Sequence, residues 1–133
     1  MHSTKVILVD DLYTVKLCQD NPQTLFVFGD NMIRKGRNGQ AVIRDCDNSF
    51  GIATKVLPSM SPNSFFSDDN PAHLKRVQTD LEMLLMTKLA GVYKNIAFPS
   101  KGLGTGLARL QTKAPNILAE MNAIILRDFG IKL

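Results

Sequence analysis

Residues 95–129 constrain the fold more than any other stretch of the chain. Asn95-Ile96-Ala97-Phe98 is a short apolar run that reads as a buried strand. It leads into Pro99-Ser100-Lys101-Gly102-Leu103-Gly104-Thr105-Gly106-Leu107, where three glycines alternate with small or apolar residues. A long helical pattern follows, with Ala114, Ile117, Leu118, Met121, Ile124 and Ile125 on one face, Thr112 as the expected cap and Gly130 as the stop. Strand, glycine-rich turn, helix is an order that leaves backbone N–H groups free to cradle an anion, and glycine lets the main chain approach a phosphate closely. The same order also serves as a tight connection that binds nothing, so a ligand reading needs a second wall from elsewhere in the chain.

The rest of the chain supplies alternating strands and helices. Residues 5–9 form a β-branched apolar run, read as a buried strand. Residues 12–19 fit a short helix on Leu12, Val15 and Cys18, or a strand by their β-branched content. Residues 20–23 signal a turn, and residues 25–28 a second buried strand cut off by Gly29-Asp30-Asn31. Gly36 and Gly39 sit among basic and polar residues, and residues 40–44 look like the start of a helix. After a turn at Asp47-Asn48, residues 51–57 read as a third strand. Residues 58–70 read as a surface loop, although Phe65-Phe66 is more than a solvated loop needs. Asn70 and Pro71 then open a helix as cap and first residue, with Leu74, Val77, Leu81, Leu84, Leu85 and Leu89 as its apolar face and Gly91 as its stop. Residues 131–133 are read as a terminal strand.

Strands alternating with helices over 133 residues, without internal repeats, indicate one α/β domain spanning residues 1–133. Ligands in such folds sit outside the carboxyl ends of the strands. The glycine-bearing turns after Phe28 and after Phe98 both fall there, which provides the second wall. No stretch reaches the roughly 18 consecutive apolar residues of a membrane span, and no tripartite leader precedes the first strand. Cys18 and Cys46 stand apart with no metal or redox spacing, which fits a reducing cytoplasm. The net charge of +4 suits an anionic ligand, and the chain lacks the dense basic stripe of a dedicated nucleic-acid binder.

With these segments in place the chain resembles the macro domain, a family of α/β modules that bind ADP-ribose and related nucleotides. The resemblance rests on Ile96-Ala97-Phe98-Pro99, Gly104-Thr105-Gly106 and the helix after them. In the first half it rests on Phe28-Gly29-Asp30-Asn31 and Gly36-Arg37-Asn38-Gly39-Gln40-Ala41-Val42-Ile43. The chain is also similar to a small macro-like family of bacteria and their phages, marked by Phe-Gly-Asp-Asn, Gly-Gln-Ala and Gly-Leu-Gly-Thr-Gly. Two departures stand out: Arg37 and Asn38 interrupt the usual triple glycine, and Gly29-Asp30-Asn31 replaces the usual Asn-Ala-Ala-Asn. The resemblance implies a three-layer domain with a central mixed sheet flanked by helices. It also implies a nucleotide held across residues 29–41 and 100–107.

Candidate roles follow residue by residue. Asp30 would accept from an adenine amino group or a ribose hydroxyl, unless it only caps its own turn. Asn31 would orient a distal ribose or a water. Gly39, Gln40 and Ala41 would form the first wall, with Gln40 donating to phosphate or ribose. Gly102, Leu103, Gly104, Thr105, Gly106 and Leu107 would offer backbone amides to the diphosphate at the start of the last helix, with Lys101 beside them. Lys55, with Thr54, would face the pocket from the third strand. Arg34, Lys35 and Arg37 would complement a diphosphate or simply be a solvated charge run. Phe65 or Phe66 would stack on a base or pin the loop to the core. His2 and His73 have no partner at metal-ligand spacing, and no cofactor is implied.

Two functions follow. The domain binds and sequesters an ADP-ribose-type or cyclic signalling nucleotide, as a phage-like sponge that removes an immune signal. Alternatively it hydrolyses an ADP-ribosyl bond on protein or nucleic acid, with Asn31 and Asp30 placing a water. Nucleic-acid binding through Arg34, Lys35 and Arg37 is a weaker third reading. The sequence leaves open a homo-oligomer in which a neighbouring subunit closes the pocket.

Overall fold

The computed structural model describes residues 3–133, so His2 lies outside the described residues. Four strands form one sheet in the order β1-β4-β2-β3: β1 (Lys5–Val9), β2 (Thr24–Asn31), β3 (Ser49–Lys55) and β4 (Asn95–Pro99). Every pairing in it is parallel, with Val6 opposite Ile96, Leu25 opposite Ile96 and Phe28 opposite Gly51. The expected mixed sheet is therefore wrong. An antiparallel neighbour arises from a tight hairpin, whereas parallel strands need a crossover. Each connection here carries a helix or a helical turn: α1 (Val15–Asp20), a 3-10 turn at Gly39–Ile43, and α2 (Pro71–Ala90). Residues 131–133, read as a further strand, stay outside the sheet.

The two sheet faces are covered unequally. On one face α2 and α4 (Pro115–Phe129) pack over Leu25, Val27, Ile52, Ile96 and Phe98. On the other, Tyr13, Cys18 of α1, and Ala41 and Ile43 of the 3-10 turn cover Phe26, Phe28 and Ala97. The ambiguous residues 12–19 thus resolve as a helix, whose Thr14 hydroxyl accepts from the Leu17 N–H as its cap. β1 was read as buried, yet it is an edge strand with Ile7 and Leu8 exposed, because nothing on its outer side pairs with it. Leu12 and Leu89, both assigned to apolar faces, are also exposed. Cys18 and Cys46, far apart in sequence, come close enough that burial first, then the Cys46 thiol, pushes the Cys18 thiol up to about 12. Both remain free thiols.

The free edge of β3 is closed by side chains. Arg34 Nη1 donates to the Gly51 carbonyl at 2.7 Å, and the Ala53 N–H donates to Asp80 Oδ2 at 2.8 Å. The loop before α2 is tied down equally firmly. Phe66 is buried and stacks on His73 at 4.6 Å, and the Ser67 N–H donates to His73 Nδ1 at 2.9 Å. α2 starts as expected, with Asn70 accepting from the Ala72 N–H, and stops at Gly91 in the left-handed conformation.

The last helix begins differently from the sequence reading. A one-turn helix, α3 (Leu110–Lys113), separates the glycine segment from α4, and Ala114 rather than Thr112 is the residue before α4. Pro115 cannot donate a backbone hydrogen bond, so the chain restarts there. The open amides of α4 are satisfied from far away: Asp68 accepts from the Asn116 and Ile117 N–H groups at 3.0 and 2.9 Å. Removing this cap, with Asp68→Ala, should lower stability by about 1–2 kcal/mol in urea unfolding. Burial lowers the His73 pKa below its ordinary 6.5. The unfolded chain therefore binds the proton more readily, so stability is complete above about pH 6.5 and falls as the pH drops below it. The His73→Phe variant should lack that acid-side loss in unfolding curves taken from pH 7.5 to 5.

Candidate functional site

β2 and β4 pair only from Thr24–Phe26 opposite Asn95–Ala97, and beyond those residues they diverge. The chain leaving β2 turns to the face covered by the 3-10 helix, and the chain leaving β4 turns to the face covered by α3 and α4. This is the topological switch point, where open α/β sheets bind ligands. A cleft of about 230 Å³ opens there, walled by residues 29–31, 35–36 and 38–41 on one side and by Gly104, Gly106, Leu107 and Ala108 on the other, with Thr54, Lys55 and Pro58 as its floor.

Of the residues nominated from sequence, the cleft brings together Asp30, Asn31, Gly39, Gln40, Ala41, Lys55, Gly104, Gly106 and Leu107. Lys101, Gly102, Leu103 and Thr105 do not line it. Leu103 is fully buried in the core, Lys101 is exposed, and the Thr105 hydroxyl donates to the Lys101 carbonyl. Gly102 and Gly104 hold φ of +89° and +75°, which explains their glycines. A Cβ on Gly104 would also overlap Leu110 Cδ1, whereas nothing lies within 4 Å of one on Gly106. The N–H groups of Thr105, Gly106, Leu107 and Ala108 find no acceptor among the described residues. They owe this to the irregular loop itself, since α4 begins further on and is capped by Asp68.

The polar side chains are more committed than the sequence suggests. Gly29-Asp30-Asn31 is not a turn but the end of β2, with a bulge between Asp30 and Asn31. The Asp30 side chain is 1% exposed and points under the loop, accepting from Arg44 at 2.5 and 2.9 Å, from Arg34 at 3.0 Å and from the Asn31 N–H at 2.8 Å. Arg34 also reaches Asp80 at 2.9 Å, and Arg76 bonds Asp80 and the Met32 carbonyl. Arg44 donates further to the Gly36 and Lys35 carbonyls. Asn31 closes the same loop by exchanging hydrogen bonds with the Lys35 backbone. Gln40 spans the gap between the diverging strands: its Oε1 accepts from the Gly29 N–H at 2.8 Å and its Nε2 donates to the Gly102 carbonyl at 3.1 Å. These residues build the cleft.

Lys55 is the exception. It is 6% exposed, lines the cleft, and its Nζ donates to the Ser59 carbonyl at 2.7 Å. Burial first, then the Arg109 charge, lowers its pKa below the usual lysine value. An isolated bridge to Phe65 brings that ring over Lys55, so Phe65 and Phe66 both pin the loop. Of the basic run, Arg34 turns to the two aspartates and Arg37 to Asp45, and only Lys35 lines the cleft. Lining residues that the sequence reading did not nominate include Asn38, Pro58 and Ala108, whose positions depend on how the loops fold back. Among the described residues, no three His, Cys, Asp or Glu side chains are placed to hold a metal ion.

Removing the carboxylate of Asp30 leaves two arginines facing each other under the loop, so Asp30→Asn should cost about 3 kcal/mol, the lower end for a buried pair because the arginines are partly exposed. Urea unfolding checks the value, and added salt should not restore it.

No curated protein and no solved structure matches the chain. No helix among the described residues is long and apolar enough to cross a membrane. A family model described as a family of unknown function (DUF7831) matches residues 8–124, which contain both walls of the cleft and the whole Asp30 network, and the chain therefore belongs to that family.

Proposed function

We propose that the chain is a macro-like domain that binds an ADP-ribose-type or cyclic signalling nucleotide in this cleft and releases it unchanged. The observation that carries the reading is the make-up of the walls. Glycine-rich backbone with acceptor-free N–H groups on the β4 side faces a buried lysine and a second glycine-rich wall on the β2 side. Amides and a lysine with no acidic partner suit a diphosphate, and each well-placed donor to a charged phosphate contributes roughly 1.5–3 kcal/mol. The resemblance of both segments to macro domains supplies the nucleotide class. The similarity to small phage and bacterial macro-like proteins points to sequestration of a signal as the role.

Hydrolysis has less support. A hydrolase needs a carboxylate or amide free to place a water against the anomeric carbon. Asp30 and Asn31, the candidates for that work, have their side-chain oxygens engaged with arginines and backbone. Such engagement favours binding without turnover.

The test is thermal unfolding with millimolar ADP-ribose, cyclic ADP-ribose isomers and cyclic dinucleotides, followed by recovery of the ligand after denaturation. A native-state ligand at about a hundred times its Kd stabilises by about 2.7 kcal/mol, which raises the Tm measurably. Gly106→Val should abolish the shift while the unliganded Tm stays near that of the parent, because a side chain there enters open space. Gly104 is unsuited to the purpose, since its replacement strikes Leu110. Ligand recovered intact supports sequestration, turnover at substoichiometric protein would overturn it, and no shift with any nucleotide would overturn the pocket reading.

A further inference from the structure

The cleft is small for a whole nucleotide. At about 230 Å³ it falls below the roughly 300–1,000 Å³ of sites that enclose small molecules. A nucleoside diphosphate sugar seated in it must extend past the mouth. What stands beside the cleft is decided by two of its lining residues. Lys55 lines the cleft and also lies 5.0 Å from the centroid of Phe65. Ala108 lines the cleft, and the next residue, Arg109, lies 5.8 Å from the same ring. Lys113, one turn on, completes the group at 4.9 Å.

Three cations therefore converge on one aromatic ring. Among the described residues none of the three has a carboxylate within salt-bridge distance, whereas the other arginines around the site are all paired. Arg34, Arg44 and Arg76 share Asp30 and Asp80, and Arg37 has Asp45. Asp68, on the loop beside Phe65, is occupied by α4. Like charges held together without a counterion repel one another, and the Phe65 ring face offsets only part of that. Burial first, and then the Arg109 charge, lowers the Lys55 pKa.

We infer that Lys55, Arg109 and Lys113 form a second anion subsite around Phe65, which takes an additional phosphomonoester on the part of the nucleotide that extends beyond the cleft. The inference deepens the nucleotide-binding reading and rests on it for the ligand's position. Its chemistry is that of a nucleoside diphosphate sugar carrying a further phosphate.

Calorimetry on the full chain with ADP-ribose and with ADP-ribose 2′-phosphate tests it, comparing the parent with an Arg109→Ala, Lys113→Ala double variant. Both side chains are exposed and lie outside the cleft, so the variant should melt as the parent does. The 2′-phosphate should bind the parent at least tenfold more tightly than ADP-ribose. That advantage should vanish in the double variant, with ADP-ribose affinity unchanged within twofold. No preference in the parent, or a preference that survives the double substitution, overturns the subsite. If ADP-ribose itself fails to bind, inorganic pyrophosphate tests the cluster by thermal shift, and the nucleotide reading falls separately once the cyclic nucleotides fail as well. Stabilisation of the parent but not of the double variant supports an anion site, and equal or absent shifts overturn it. A single-stranded oligonucleotide that binds more tightly than either nucleotide, and loses affinity in the double variant, would assign the cluster to nucleic acid and overturn the phosphomonoester.

Discussion

The Asp30 carboxylate holds the site in shape. Buried at the end of β2, it accepts from two arginines that belong to the loop it supports and to the 3-10 turn beyond. A charge in that position is tolerable only when its oxygens are filled, and here Arg34, Arg44 and the Asn31 N–H fill them. The arginines in turn satisfy the carbonyls of Lys35, Gly36 and Gly51, so a segment with little apolar content gains a fixed path. Gly51 belongs to the same arrangement, because a Cβ there would meet Asp30 Oδ2. Backbone that would otherwise be free to move becomes a rigid wall, which lowers the entropic cost of seating a ligand against it.

The second wall is rigid for a different reason. Gly104 is pressed between Leu110 and Thr54, and the Leu110 N–H returns to the Gly104 carbonyl at 2.9 Å, so the loop closes on itself through packing and one short turn. Gln40 joins the two walls across the gap where β2 and β4 diverge. One neutral side chain thus sets the width of the cleft, satisfying a donor on one strand end and an acceptor on the other.

Local chemistry made much of this legible. The caps of α2, the β-branched strands and the positions of both glycine segments followed from residue type and spacing, and so did the α/β class. The direction of the strands was harder to read, because the mixed sheet came from the resemblance and not from any hairpin signal in the chain. The roles of Asp30, Asn31 and Gln40 were only half legible. Polar residues at a strand end mark a site, but whether they face a ligand or the protein depends on Arg34, Arg44 and Asp80, brought in from separate segments. The same holds for Asp68, whose partners on α4 lie 48 and 49 residues away. The cluster around Phe65 was illegible for the same reason, since Lys55, Arg109 and Lys113 meet only after the loop folds back.

The closure of the β3 edge has a consequence for how this protein can fail. An open strand edge is a template for another chain, and proteins commonly blunt it with charge or cover. Here the cover on Gly51 and Ala53 is drawn from Arg34 and Asp80, the same groups that anchor the loop after β2. Loss of Asp80 would therefore loosen a wall of the cleft and uncover an open strand edge in one step. Protection of the sheet edge and the shape of the cleft are coupled in this chain through a single carboxylate, so substitutions that drift at that position face two penalties at once.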